Sequence, residues 1–374
     1  MRHSKTWIAV HRWTSLICTA FLLMLCVTGL PLIFHDEIDA LSDPPDTATA
    51  AAALAHPLDL DQVTALVRRQ YPGRRIQFVV WLEQPQLYRV GLSRPRGAHG
   101  DVKPFAIVDA ARGVIVREAW SEKDWRHGNF MSLLLALHTD MLMGPAGKLF
   151  LGAMGMLFLA SLVSGTVLYG PFMRKLRFGT IRKGRAPRLK WLDLHNLLGV
   201  AALAWMLVVG ATGVMNTLDA QVFGAWQKSI YSRLDLAQRP HHAGSPGASL
   251  QAAVDEARRA MPDGVVSFVA YPGSMFGGPA HYAVYMRGSS PLTSRLLHPV
   301  LVDATDGSAA DAGPPPWYLW ALEASRPLHF GDYGGLVFKF LWALLDVFLI
   351  VVLASGLYLW WQRRPQRPGR TGTY

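Results

Sequence analysis

Cysteine is scarce in this chain: 374 residues hold only two, Cys18 and Cys26. They supply no disulfide framework, no zinc-ligand spacing and no CxxCH motif for covalent cofactor attachment. Both fall inside an apolar run, where they serve packing or face lipid. Charge is scarce too, at 17% of residues against 51% hydrophobic, and several long stretches carry almost none. That distribution excludes an ordinary soluble domain and points to a membrane protein. The net charge of +11 would suit a nucleic-acid partner, but its placement argues against one. Arg174, Lys175, Arg177, Arg182, Lys183, Arg185, Arg188 and Lys190 form one block, and Arg363, Arg364, Arg367 and Arg370 another. Both blocks adjoin apolar runs, which is a topology signal, and the implied surroundings are membrane lipid.

Four spans follow. Trp13–Phe34 is uncharged and preceded by Arg2, Lys5 and Arg12. It exceeds the roughly 7–15 residues of a signal-peptide core, so it reads as an uncleaved helix with a cytoplasmic N-terminus. Leu149–Phe172, Trp191–Leu218 and Gly335–Trp361 are the others. With both basic blocks inside, both long connections lie outside, and both termini are cytoplasmic. Trp7, Trp191, Trp320, Trp360 and Trp361 stand near span ends, where interfacial aromatics belong. The chain divides into a first transmembrane helix (1–35), an outer region (36–130) and a segment with an outer histidine and the second span (131–173). A basic loop (174–190), the third span (191–218) and a second outer region (219–326) come next. A segment with another outer histidine and the fourth span (327–362) leads to a tail (363–374).

The halves repeat. His11 is followed by Thr28-Gly29 and His195 by Thr212-Gly213, each threonine 17 residues after its histidine. His138 is followed by Ser164-Gly165 and His329 by Ser355-Gly356, each serine 26 residues on. The outer regions match as well: VRRQYPGRRIQFVVW from Val67 with ARRAMPDGVVSFVAY from Ala257, and AIVDAARG from Ala106 with VLVDATDG from Val300. Each outer region reads as an amphipathic helix, alternating strands such as Ile76–Trp81 and Leu87–Leu92, and a strand closing on Asp-Ala-x-x-Gly. The fold expected is an α-helical membrane protein, with four transmembrane helices in two parallel repeats. Each repeat carries an inserted small α+β domain.

The topology puts His11 and His195 near the cytoplasmic face, and His138 and His329 near the outer face. A lone histidine at a membrane boundary is ordinarily an interfacial polar residue. Four at duplicated positions, two per face, suit two bis-histidine haems, held non-covalently as b-type because CxxCH is absent. The Thr-Gly and Ser-Gly pairs are expected either to pack helices or to clear space for a macrocycle. Helix-breaking Gly144-Pro145-Ala146-Gly147, Gly331 and Gly334-Gly335 follow the outer histidines. His35 is either an interfacial residue or a substitute outer ligand. Met131, Met141 and Met143 flank His138 as apolar filler or as alternative ligands. Asp346 lies deep in the fourth span, where it either carries protons or caps a polar contact. His56, His99, His127, His241, His242, His281 and His298 are expected to be mostly solvated. Tyr271–Tyr285 and Pro314–Trp320 stand equally as substrate contacts or ordinary loops.

HRW (His11–Trp13), LH with GPAG (Leu137–His138, Gly144–Gly147), LHNLLG (Leu194–Gly199) and LHFGDYGG (Leu328–Gly335) together carry a family likeness. The chain resembles PepSY-associated transmembrane proteins, including inner-membrane ferric-siderophore reductases of the ferrioxamine reductase type. The outer regions resemble paired PepSY modules. The resemblance implies a bacterial inner-membrane location, periplasmic loops, two b haems and electron delivery to a periplasmic ferric siderophore, releasing Fe(II). The histidine-bearing motifs place the ligands at His11, His138, His195 and His329. Some relatives carry a fused flavoprotein part that nothing here resembles, so the electron source is unassigned; quinol or a separate reductase would donate. Two other functions stay open: a quinol-linked haem carrier serving another envelope enzyme, and a non-catalytic peptide-binding or regulatory membrane protein.

Overall fold

The computed structural model describes residues 2–42, 53–95, 97, 101–122, 124–173, 179–182, 186–233, 247–290, 293–294, 296–310, 315–331 and 335–362. The tail and most of the basic loop lie outside these residues, as do His99, His241, His242, Pro314 and Gly334. In chain order the helices begin with α1 (Arg2–Leu32), α2 (His35–Ser42), α3 (Leu60–Gln70), α4 (Phe130–Asp140) and α5 (Pro145–Met173). They continue with α6 (Pro187–Ala201), α7 (Leu203–Thr217), α8 (Asp219–Arg233), α9 (Leu250–Ala260), α10 (Trp317–Phe330) and α11 (Gly335–Trp361). The chain forms two compact units. One gathers Met1–His35, Leu134–Leu218 and Leu328–Tyr374; the other gathers Asp36–Leu133 and Asp219–Pro327.

The first unit is membrane-type. Its helices α1, α5 and α11 are each long and apolar enough to cross a bilayer. The third expected span differs from the sequence reading. It is not one rod but α6 and α7, bent by 67°. Ala202 sits between them with φ −99 and ψ 1, the sparsely populated bridge conformation, which turns the axis without a proline. Among the described residues, three helices are therefore long and apolar enough to span, or four candidate spans if the bent pair counts as one. The unit's core joins Cys18, Leu22 and Cys26 of α1 to Met154 and Phe158 of α5. Ala202, Met206 of α7, and Leu349 and Leu353 of α11 complete it.

The second unit is built on an antiparallel sheet. Its strands are β1 (Ile76–Trp81), β2 (Leu87–Leu92), β3 (Phe105–Asp109), β4 (Val114–Ala119), β5 (Gly264–Ala270), β6 (His281–Gly288), β7 (Leu297–Asp303) and β8 (Ala309–Ala310). The two outer regions, expected as separate modules, share one eight-stranded sheet of order β4-β3-β2-β1-β5-β6-β7-β8. The join is β1 against β5, with Val79 opposite Val269. Each first strand would otherwise expose an unpaired edge, and each covers the other's. Alternation places Val79, Val90, Val108, Val269, Val284 and Val302 on the face covered by α3 and α9. On the opposite face Trp226 and Ile230 of α8 and Leu319 and Leu322 of α10 pack over Ala283, Tyr285 and Leu301.

The helices α3 and α9 cap each other. Asp59 and Gln62 close a capping box at the start of α3, and Ser249 accepts from the Ala252 N–H at the start of α9. Asp61 then accepts from the Leu250 N–H at 2.9 Å, and Gln251 from the Leu60 N–H at 3.2 Å.

Candidate functional site

The membrane-type unit brings His11, His138, His195 and His329 together in two pairs. The rings of His11 and His195 have centroids 6.4 Å apart at 77°. Those of His138 and His329 lie 6.2 Å apart at 62°. Both pairs join one repeat to the other. Along α1, His11 and Thr28 are 17 residues apart, about 25 Å of helix. Because Thr28 touches His138, the pairs occupy two well-separated levels.

Each ring is seated in the same way on a helix of its own repeat. His11 Nδ1 meets the Ser161 carbonyl at 2.9 Å and the Ser164 hydroxyl at 3.3 Å, both on α5. His195 Nδ1 meets the Val352 carbonyl at 3.0 Å and the Ser355 hydroxyl at 3.1 Å on α11. His329 Nδ1 meets the Val209 carbonyl at 3.1 Å and the Thr212 hydroxyl at 3.2 Å on α7. His138 bonds the Leu25 carbonyl and, at 3.1 Å, the Thr28 hydroxyl of α1. In every seat the carbonyl stands three residues before the hydroxyl, and a glycine follows it.

These contacts fix the tautomer. A carbonyl oxygen only accepts, and the four hydroxyls spend their own protons on main-chain carbonyls of the preceding turn. Nδ1 must therefore carry the hydrogen in all four rings. The Nε2 lone pair is left free, as in metal-binding histidines whose other nitrogen is held by a carbonyl.

The glycines complete the seat. A Cβ at Gly29 would lie 2.9 Å from His138 Cε1, and one at Gly165 3.0 Å from His11 Cε1. The corresponding gaps are 3.2 Å from Gly213 to His329 and 3.4 Å from Gly356 to His195. The Thr-Gly and Ser-Gly pairs thus admit an imidazole from the neighbouring helix. Sequence reasoning found the pairs but not this task. The signal was present, since each small pair lies at the depth of the other helix's histidine.

Other named residues take other places. His35 is exposed at the start of α2, its Nδ1 3.1 Å from the Leu32 carbonyl. Met131 is buried, and Met143 is exposed. Met141 and Leu142, at φ 56 and 62, form a left-handed turn that lets α5 start on Pro145. Asp193, two residues before His195, is held by Arg182 through Nη2 at 2.7 Å and Nε at 3.0 Å. That fork went unnoticed in the sequence.

The sheet unit corrects the picture of solvated histidines. His281 is buried on β6 with Nε2 3.6 Å from Asp303, because alternation turns it into the sheet's packed face. His127 stacks on Trp120 at 4.0 Å, between Asp124 and Asp101. His298 is half-buried, and that burial pushes its imidazole below the usual range. Of the suggested substrate contacts, Tyr271, Tyr282 and Tyr285 are core residues, while Met275 and Trp317 are exposed.

Fold and seats together define a membrane-type protein with paired, tautomer-fixed histidines among its apolar helices. The chain belongs to the PepSY-associated TM region family, whose model matches residues 8–363. It is 31% identical over 265 residues to PA4219 of Pseudomonas aeruginosa, a protein described as uncharacterized. That match covers 64% of this chain and 65% of the relative, just under two thirds of its length.

Proposed function

We propose that the protein is a di-haem b transmembrane reductase. In this reading His11 with His195 holds one haem, His138 with His329 holds the other, and electrons pass from the cytoplasmic or quinol side to a periplasmic ferric siderophore. The observation that carries the reading is the spacing of the two ring pairs. An imidazole nitrogen sits about 2.0–2.1 Å from a bound first-row metal, so two rings that shared one ion would have their centres roughly 6 Å apart. The separations of 6.4 and 6.2 Å fit an ion between each pair. Among the described residues no three His, Cys, Asp or Glu side chains gather as a metal site. The remaining ligands of such an ion would come from a group that is not a side chain, which suits a tetrapyrrole.

Bound haem would supply a one-electron Fe(III)/Fe(II) couple at each level. The chain's own contribution is orientation. The carbonyl and hydroxyl of each seat hold Nδ1–H, keep the ring from turning and make Nε2 a better donor. Apolar helices exclude water from both levels. With the basic blocks inside, His11 and His195 form the entry level, and His138 and His329 the exit level. Ferric chelators bind Fe(II) far less well, so reduction would release the iron.

The test is a reduced-minus-oxidised spectrum of the purified full chain, with haem counted per chain. Two b haems are expected, and ferric siderophores should re-oxidise the dithionite-reduced protein. Absence of haem from membrane-purified protein would sink the reading in favour of a non-catalytic binding or regulatory role. Haem that other acceptors oxidise but ferric siderophores do not would make the protein an electron carrier for a different envelope enzyme.

A further inference from the structure

Asp346 is the one acid within α11, and its side chain is buried in the membrane-type unit. The thiol of Cys26 on α1 hydrogen-bonds its carboxyl. Its second oxygen, Oδ2, is buried without a hydrogen-bond partner. An acid so placed is costly, and a half-satisfied one more so.

The repeat shows that packing does not require it. The offset of 191 residues that carries Ser164 to Ser355 carries Gly155 to Asp346, and the offset of 184 that carries His11 to His195 carries Cys26 to Gly210. At the equivalent contact, between α5 and α7, the two polar residues are thus replaced by glycines. A Cβ at Gly155 would lie 2.8 Å from Val214, and one at Gly210 3.1 Å from Leu159 and Phe158. One copy of the contact is tightly packed through glycines; the other holds a thiol and a carboxyl.

The surroundings of Asp346 can be taken helix by helix. From α1 the facing titratable group is Cys26; Cys18 lies two turns further along, and His11 beyond it. On α11 itself Lys339 is seven residues away. From α6, His195 and Asp193 belong to the far level, where His195 bonds the Val352 carbonyl, six residues from Asp346, and the Ser355 hydroxyl, nine residues from it. The near level is that of His138 and His329, since Cys26 is two residues, about 3 Å of rise, from Thr28. Among the described residues no cation pairs with Asp346.

We propose that Asp346 is a proton-binding site that takes up one proton when the outer histidine pair's metal site is reduced. This rests on the di-haem reading. A ferric haem held by the outer pair would supply a positive charge that offsets this carboxylate. Uptake of one electron from the quinol or reductase donor would cancel that charge. The carboxylate then binds a proton from the aqueous phase, forming one O–H bond, so no net charge is added to the apolar core. Cys26 donates to the carboxylate in the oxidised state and releases that oxygen for protonation.

Linkage fixes the sign: the reduced form binds the extra proton, so raising pH favours the oxidised form. The experiment is a redox titration of the full chain over a pH series. At fixed ambient potential, the reduced-to-oxidised ratio of one haem should fall by up to about tenfold per pH unit. The haem affected should be the one lost in His329→Ala. Asp346→Asn should flatten the dependence and Asp346→Glu should restore it. Unchanged pH dependence in Asp346→Asn with both haems retained overturns the proposal. Infrared difference spectra of the wild type cover the case in which variants fail to fold. Reduction must produce a new protonated-carboxyl band, and its absence also overturns the proposal. Wild-type protein without haem overturns the di-haem reading and this one together; haem with a pH-independent poise overturns this one alone.

Discussion

The two repeats agree at their ends and differ in their middles. All four histidine seats use one device, a carbonyl, a hydroxyl three residues on and then a glycine, on four different helices. The contacts between the levels do not agree: α5 meets α7 through Gly155 and Gly210, while α1 meets α11 through Cys26 and Asp346. What both copies retain marks what each copy must do by itself, which is to hold an imidazole in one orientation. What only one copy has marks a task needed once per molecule. Duplication alone explains the first kind of feature and not the second.

The largest effect should come from breaking a seat at its ligand. On the di-haem reading, His195→Ala removes one ring of the His11–His195 pair and should lower haem from two per chain to one, leaving the other haem's spectrum unchanged. His329→Ala should do the reverse. Loss of the same haem from both variants would show that the pairing is wrong. A smaller and graded effect should follow from the glycines. Gly29→Ala pushes a Cβ to 2.9 Å from His138, whereas Gly356→Ala reaches only ordinary contact with His195 at 3.4 Å. Overpacking of the first kind costs about 1–3 kcal/mol, or roughly a five- to 150-fold loss of haem affinity at the outer level. The second substitution should leave inner-haem occupancy nearly intact. Equal losses in the two variants would mean that the glycines do not set the seats.

The middle contacts give a stability test. Gly155→Leu should destabilise the membrane-type unit by about 1–3 kcal/mol through overpacking against Val214. Asp346→Leu replaces a half-satisfied carboxyl with apolar volume and should be neutral or stabilising. Thermal unfolding in one detergent compares the two directly. An Asp346→Leu variant as unstable as Gly155→Leu would show that the acid is structural.

Much of this was legible in the sequence because it is periodic. Apolar runs, basic flanks and two constant offsets placed α1, α5 and α11 and named the four histidines. Strands Ile76–Trp81 and Leu87–Leu92 were read to the residue from alternation. What escaped is set by contacts between distant segments. Nothing local to Val79 or Val269 says that β1 and β5 will pair and merge the outer regions. Nothing in LLGVAALAW announces that Ala202 will turn the axis by 67°. Asp346 was visible as an anomaly, but its partner is a cysteine more than three hundred residues away, an ordinary packing residue by composition. His281 looked solvated because a single imidazole says nothing of which sheet face receives it.

The sheet unit has its own buried acid, and it sharpens the contrast with Asp346 at the smallest scale. Glu323 on α10 is buried, and desolvation raises its carboxyl above the usual range, with Arg326 opposing and Asp219 adding. The protonated form is thus the one the fold prefers. For an acid raised in this way, the stability it lends is full below the ordinary glutamate range. It is lost as pH rises from there through the raised value. Glu323→Gln keeps the shape and cannot ionise, so the thermal stability of the sheet unit should lose that part of its decline with rising pH. The full chain read by near-ultraviolet signals of Trp226 and Tyr285, which share its core, reports the change. Arg326 already offsets the charge of Glu323, so its titration should depend little on redox state, whereas protonation of Asp346 should follow the redox state. A Glu323 effect that tracks reduction would break that distinction, and with it the argument that Asp346 is unusual because of what lies beside it rather than because it is buried.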